Sequence, residues 1–378
     1  MKALLLIITF ITCISCQRTV DSSVAPDPAT VDSVIKEFEN ELQNDVDKDS
    51  VGGSISASIV SGDKIIWSQA LGYSDKTNKI LADTSTIYRA GSISKSFTAF
   101  LMMKLVDEGL IKLEDPVERY LPEVKNLKGY STSTRITFSQ LASHTSGLSR
   151  EPALENANVG HISDWEHKLL ASIPTTGFDS SPGTKYIYSN IGFGILGLAL
   201  SRAANKPFIQ LMQEKIFNPL KMNRSFYVVP EKFRENLAVG MEGGASEVID
   251  TNSPLEEHKG RGYKVPNGGV YSTPNDLAKF MIDNLEPSHI LSKESLNTMQ
   301  TEKGPEQNRY GFGFMVFHNN EVSVVGHNGE VLGYTAQFAF EPKSKFGVIL
   351  MRNYTSGNTD LDKVSFILLS KLNHLNKE

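Results

Sequence analysis

Cysteine is nearly absent from this chain. Its 378 residues hold two, Cys13 and Cys16, both within the first sixteen positions. A disulfide framework is therefore excluded, and the fold has to rest on a hydrophobic core. A long hydrophobic run is also missing. The most apolar stretch, residues 3–14, is too short to cross a bilayer as a helix. Neither sign of charge dominates: 38 Lys and Arg stand against 43 Asp and Glu, for a net charge of -5. Without a basic run or patch, nucleic acid is excluded as a partner. There is no internal repeat and no low-complexity tract. No Gly-x-Ser-x-Gly elbow, no His-Glu-x-x-His helix and no phosphate-binding glycine loop occurs. His161 and His167 do not share a helix face, so zinc is disfavoured. The expectation is a site with no metal and no cofactor.

What is present begins with a leader. Lys2 and the short apolar stretch after it read as a secretory signal over residues 1–15. The pair Cys13 and Cys16 has the spacing of a redox motif, but an apolar export segment is the wrong setting for one. Ser15-Cys16 instead resembles the cleavage end of a bacterial lipoprotein signal, with Cys16 as the lipidated first residue of the mature chain. Cys13 departs from that pattern, which prefers a branched apolar residue there. Simple cleavage and retention stay open as alternatives. Residues 16–30 are polar and contain Pro, Ala and Ser, as a flexible tether does. Residues 31–378 form the folded domain, and 40% apolar content over the chain suits one large core.

Periodicity places helices at 31–46, 92–108, 191–204, 207–216, 274–284 and 361–375. Strand patterns occupy 54–60 and 64–73, joined as a hairpin. They return only at 311–317, 322–327, 335–341 and 346–353. Residues 241–266, rich in Gly and charge, read as a long irregular loop. Strands at both ends with helices between predict an α+β fold. Its antiparallel sheet is built from the two chain ends and flanked by helices, with a mostly helical region inserted.

Three Ser-x-x-Lys motifs occur: Ser33 to Lys36, Ser61 to Lys64 and Ser92 to Lys95. A serine hydroxyl needs a neighbour to take its proton at neutral pH, and residues three apart on a helix share a face. Only Ser92 and Lys95 open an apolar helix, continued by Phe97, Leu101, Met102 and Leu105, where burial would desolvate the lysine. The first motif lies in a polar helix and the second in a hairpin turn. Taken alone, Ser92 also reads as an N-cap and Lys95 as a solvated lysine.

Other segments stand in order around it. Tyr88-Arg89-Ala90-Gly91-Ser92-Ile93-Ser94-Lys95 is followed by Asp115-Pro116-Val117 and Tyr120-Leu121-Pro122. Then come Leu141-Ala142-Ser143-His144-Thr145-Ser146-Gly147-Leu148, Tyr188-Ser189-Asn190, Gly268-Gly269-Val270-Tyr271-Ser272-Thr273 and Gly326-His327-Asn328-Gly329. In these the chain resembles the serine β-lactamase and penicillin-recognising superfamily, over nearly all of residues 33–375. The class C β-lactamase-related branch, with its esterase and D-aminopeptidase relatives, is most similar.

The resemblance implies a β-lactamase/transpeptidase-like fold and an acylating nucleophile at Ser92. It makes Lys95 and Tyr188 the proton-transfer partners, without deciding which acts first. A tyrosine shuttles protons only with a lowered pKa, which a nearby ammonium would provide. Asn190 would bind Lys95 or a substrate amide. His327, Gly329 and Glu330 would line the substrate edge, with the N–H groups of Ser92 and Glu330 as an oxyanion hole. His327 stands where the family has a permanent cation. This implies weak hold on a substrate carboxylate, improving as the pH falls toward 6. His144 reads as a structural turn residue. Gly268-Gly269 reads as a tight turn near the site or as a plain loop. The implied function is an exported, membrane-anchored serine hydrolase of esters or amides acting on a small-molecule or peptide substrate. A β-lactamase or D,D-peptidase, and a non-catalytic cell-wall-binding module, are the alternatives.

Overall fold

The computed structural model describes residues 30–49, 51–242, 250–285, 289–305, 308–318 and 322–375. The expected signal, Cys16 and the tether up to residue 29 lie outside the described residues.

Helix α1 (Val31–Lys48) starts on a reciprocal cap. The Thr30 hydroxyl accepts the Ser33 N–H at 3.1 Å, and the Thr30 N–H donates to Ser33 Oγ at 2.8 Å. Val34, Ile35, Phe38 and Leu42 form its buried stripe. The hairpin β1 (Ser54–Ser61) and β2 (Lys64–Asp75) follows, then the short β3 (Ile80–Leu81). The chain leaves the sheet after β3. It returns through β6 (Met315–His318), β7 (Ser323–Val331), β8 (Tyr334–Glu341) and β9 (Phe346–Arg352), and ends in α11 (Leu361–Leu375). Among the described residues this makes one seven-stranded antiparallel sheet in the order β3-β2-β1-β9-β8-β7-β6. First and last strands meet at its centre, as the pattern of strands at both ends requires.

Alternation in the central strands serves two cores. Ile55, Ala57 and Ile59 of β1 and Val348 and Leu350 of β9 pack with the stripes of α1 and α11. Val60, Ile349 and Met351 face the other way, into the larger core. That core contains the inserted helices α2 (Ser94–Asp107), α3 (Phe138–Ala142), α4 (Trp165–Ser172), α5 (Asn190–Ala203), α6 (Phe208–Met212) and α9 (Pro274–Leu285). Each buried Leu, Ile or Phe contributes roughly 1.5–3 kcal/mol. A second, two-stranded pairing joins β4 (Tyr88–Arg89) to β5 (Tyr271–Ser272).

Three expectations are corrected. The strand expected from residue 311 begins at Met315. Residues 311–313 form a turn packed on α2, where the Ser96 hydroxyl donates to the Gly313 carbonyl at 2.6 Å. Strand β7 runs past residue 327 to Val331, because it stays paired with β8 to the turn at Val331↔Tyr334. In the stretch expected to be a loop, the described residues include α7 (Asn252–Glu256) and α8 (Val265–Gly268); α10 (Lys293–Met299) follows α9.

Candidate active site

Helix α2 is buried along most of its length, and Lys95 lies within it at 0% exposure. One turn earlier, Ser92 sits half-buried in a tight turn over Gly91–Ile93. That turn is pinned from both sides. The Ala90 N–H donates to the Val270 carbonyl at 2.9 Å, and the Val270 N–H donates to Ser94 Oγ at 3.1 Å. Gly91 has φ +54°, and a Cβ there would stand 2.7 Å from the Glu330 nitrogen. A Cβ on Gly329 would reach within 2.0 Å of the Ala90 carbonyl oxygen and 3.3 Å of the Ser92 nitrogen. The two glycines thus let β7 press against the serine turn. The Ser92 and Glu330 amides border that contact.

The sequence-predicted trio comes together. Lys95 Nζ lies 3.0 Å from Ser92 Oγ and donates to the Asn267 carbonyl at 3.2 Å. The Tyr188 hydroxyl is hydrogen-bonded to Ser92, and Lys95 Nζ lies 4.7 Å from the Tyr188 ring centroid. Burial, then the positive charges of Lys264 and Arg150, hold the Lys95 amine well below its usual range, with Glu151 opposing. Tyr188 departs from expectation. Burial pushes its phenol up to about 12, and the Ser92 hydrogen bond and Arg150 only partly offset this. The groups that lower the phenol are Ser92 and Arg150, while burial holds the Lys95 amine well below its own usual range.

Tyr188 is held by its surroundings. The Ser189 N–H donates to His144 Nδ1 at 3.0 Å, and Ser189 Oγ caps α5 by accepting the Gly192 N–H at 3.0 Å. The His144 ring lies 4.2 Å from that of Tyr188, at a backbone φ of +59°. His144 is therefore a brace, in keeping with its reading as a structural turn residue.

Asn190 does not reach Lys95. Its side-chain amide donates to Glu151 at 2.6 Å, while Asn267 Nδ2 holds the Asn190 carbonyl at 2.9 Å. His327 is buried. Its Nδ1–H donates to the Asn328 carbonyl at 2.6 Å, and its Nε2 is hydrogen-bonded to the Tyr310 hydroxyl at 3.0 Å. Burial, then Lys95, lowers its pKa to about 3. The expected gain of charge near pH 6 is overturned, because desolvation holds the proton off.

Of the other motifs, Ser33 is spent in the α1 cap, and Lys36 pairs with Glu39 at 3.0 Å. Ser61 and Lys64 face each other across the hairpin end. Sequence reasoning missed Asn267, Tyr310, Arg150, Glu151 and Lys264. Two of these adjoin recognised segments: Asn267 precedes Gly268-Gly269, and Arg150 follows Leu148 by two. A cavity of about 1160 Å³ lies near β5, lined by Gly269, Tyr271 and Arg261 among others, but Ser92, Lys95 and Tyr188 are not in its wall.

The sequence profile of the family described as Beta-lactamase matches residues 38–369, most of the chain and all of this site. The chain belongs to the β-lactamase family. "Beta-lactamase-like protein 2" of Dictyostelium discoideum is 32% identical over 337 residues, 85% of this chain and 59% of that protein. "D-alanyl-D-alanine-carboxypeptidase/endopeptidase AmpH" of Escherichia coli is 27% identical over 291 residues, 76% of this chain and 71% of that protein. The octameric penicillin-binding protein homologue from Pyrococcus abyssi has a similar structure. Its TM-score is 0.70 at 25% identity, covering 90% of this chain and 76% of that one. The aligned part of this family member spans about three-fifths of the length of the first curated relatives. Its fold is that of the penicillin-binding-protein homologue: an antiparallel sheet with flanking helices and an inserted helical region.

Proposed function

We propose that this chain is a serine hydrolase that cleaves an ester or amide through an acyl-enzyme on Ser92. The observation that carries the reading is the fully buried Lys95 amine, 3.0 Å from Ser92 Oγ with its pKa held well down. A neutral amine at that distance is a general base. It takes the Ser92 proton as Oγ bonds to the substrate carbonyl carbon. The tetrahedral oxyanion lies between the N–H groups of Ser92 and Glu330, where two donors stabilise it. On collapse the proton passes from Lys95, by way of the Tyr188 hydroxyl, to the leaving oxygen or nitrogen. Water then attacks the acyl carbon, its proton goes to the same pair, and Ser92 is restored. Because its phenol sits near 12, Tyr188 acts as donor and relay while Lys95 accepts the first proton.

A fluorophosphonate probe tests this directly. Covalent labelling at Ser92, lost in Ser92→Ala with the fold intact, is the expected result. Full activity in Ser92→Ala, or no labelling of the native chain, would sink the assignment and favour a binding module. A second reading, a D,D-peptidase, draws on the likeness to a carboxypeptidase/endopeptidase. Release of D-alanine from a peptidoglycan stem peptide would select it. The location we propose rests on residues 1–16: export, with a lipid anchor on Cys16. The mature protein then partitions into detergent, and Cys16→Ser releases it or blocks processing. A soluble, unmodified chain starting beyond residue 16 would refute the anchor.

A further inference from the structure

The loop after the His144 turn carries Arg150. Its carbonyl accepts the N–H groups of Asn190 at 2.9 Å and Ile191 at 3.3 Å, which ties it to the start of α5. Tyr188 stands just before that helix. The Arg150 guanidinium lies 5.0 Å from the Tyr188 ring centroid, and its side chain is 66% exposed. Glu151 approaches it only to 4.0 Å. The Glu151 carboxylate is already engaged by Asn190 at 2.6 Å, Lys264 at 3.3 Å and the Tyr263 hydroxyl. Among the described residues the Arg150 guanidinium donates no hydrogen bond.

Charge around the site is unbalanced. The fixed charges acting on Lys95 are the cations Lys264, Arg150 and Arg261 against the single anion Glu151. Arg150 is by far the most exposed of the three cations. Strand β7 supplies none, because His327 is neutral and bonded to Tyr310. The place a substrate occupies follows from the proposed chemistry, on which this inference rests. The carbonyl oxygen turns toward the Ser92 and Glu330 amides, and the leaving group toward Tyr188, which hands it a proton. Arg150 therefore flanks the leaving group.

We propose that Arg150 is a specificity-determining residue that binds a carboxylate on the leaving-group side of the substrate. The planar fork of a guanidinium matches a carboxylate, and a largely exposed one beside Tyr188 that donates no hydrogen bond within the chain holds it by charge-assisted hydrogen bonds. The weak hold on carboxylates expected from His327 is thereby replaced. The cation has moved from the strand to the loop.

The test compares 3-carboxyphenyl and phenyl esters of one N-acylglycine, with native protein, Arg150→Gln and Arg150→Lys. The native chain prefers the carboxylate ester. Arg150→Gln lowers the ratio of kcat/KM between the two esters by about ten- to hundredfold, mostly through KM. Arg150→Lys keeps part of the ratio, and added salt erodes the native preference. Fluorophosphonate labelling of Ser92 checks that each variant is folded. If Arg150→Gln does not fold, Arg150→Lys and the salt series decide. An unchanged ratio, or equal losses on both esters, would overturn the role of Arg150 and leave the hydrolase reading standing. Absence of any Ser92-dependent turnover would overturn both.

Discussion

Two serines in this chain sit at the start of a helix with a lysine three residues on, and only one of the pairs is placed for chemistry. Ser33 and Lys36 open α1, where Lys36 is 65% exposed and paired with Glu39. Ser92 stands in the turn that leads into α2 and Lys95 in the first turn of that helix, where Lys95 is fully buried and its charged neighbours are mostly cations. Spacing is shared; the environment is not. The first lysine faces water and pairs with an acid. Burial holds the amine of the second well below its usual pKa range. A motif of four residues encodes the geometry, and the surrounding fold encodes the reactivity.

The largest break in this comparison is kinetic. Lys95→Ala is expected to cost about two or more decades of kcat, and Tyr188→Phe a similar order, the scale of a positioned acid or base. Lys36→Ala leaves kcat unchanged. Ester hydrolysis under saturating substrate measures all three, and a Lys95→Ala enzyme within threefold of native would end the distinction.

The next is thermodynamic, with its sign set by proton binding. In the folded protein Lys95 loses its proton at a lower pH than in the unfolded chain. Between those two values the unfolded state binds the extra proton, so stability rises with pH across that window. Removing the amine removes that cost. Lys95→Met is expected to raise Tm at neutral pH while abolishing activity, with a gain that shrinks as the pH approaches 10. Lys36→Met stays within about 0.5 kcal/mol of native. The same titration lowers the native rate as acid protonates Lys95. His327, near 3, adds no step between pH 5 and 8. Melting curves and pH–rate profiles of the two Met variants and the native chain test both halves.

The smallest effect belongs to the other serine. Ser33→Ala removes one half of the α1 cap and is expected to cost about 0.5–1 kcal/mol in denaturant unfolding, with no change in kcat. A loss of activity there would mean that α1 touches the site through the sheet.

Much of this was legible before any coordinates. The alternation in β1 and β9 and the stripes of α1 and α11 were enough to build the sheet from the chain ends, because period and burial coincide there. The resemblance groups Ser92, Lys95 and Tyr188 from three short segments, and the structure places their side chains side by side. Of the two partners the resemblance offers Asn190, Lys95 is not the one it meets, since Glu151 lies across the fold and a side-chain amide bonds whatever the tertiary structure brings. The sequence reads His327 as mostly neutral at pH 7 and gaining charge toward pH 6, because burial leaves no mark on a single residue. Asn267 acts through its carbonyl, which any residue type would supply.

Strand β1 is made early, and its inner partner β9 comes last. A chain still being synthesised that has not yet released Phe346–Arg352 lacks the strand that joins β1 to β8, and the amide of Glu330 on β7 is not yet tied into place beside Ser92. Contacts so distant along the chain form slowly, because closing the intervening loop costs entropy before any pairing offsets it. The contact between β7 and the Ser92 turn is therefore completed only after the last strand is delivered.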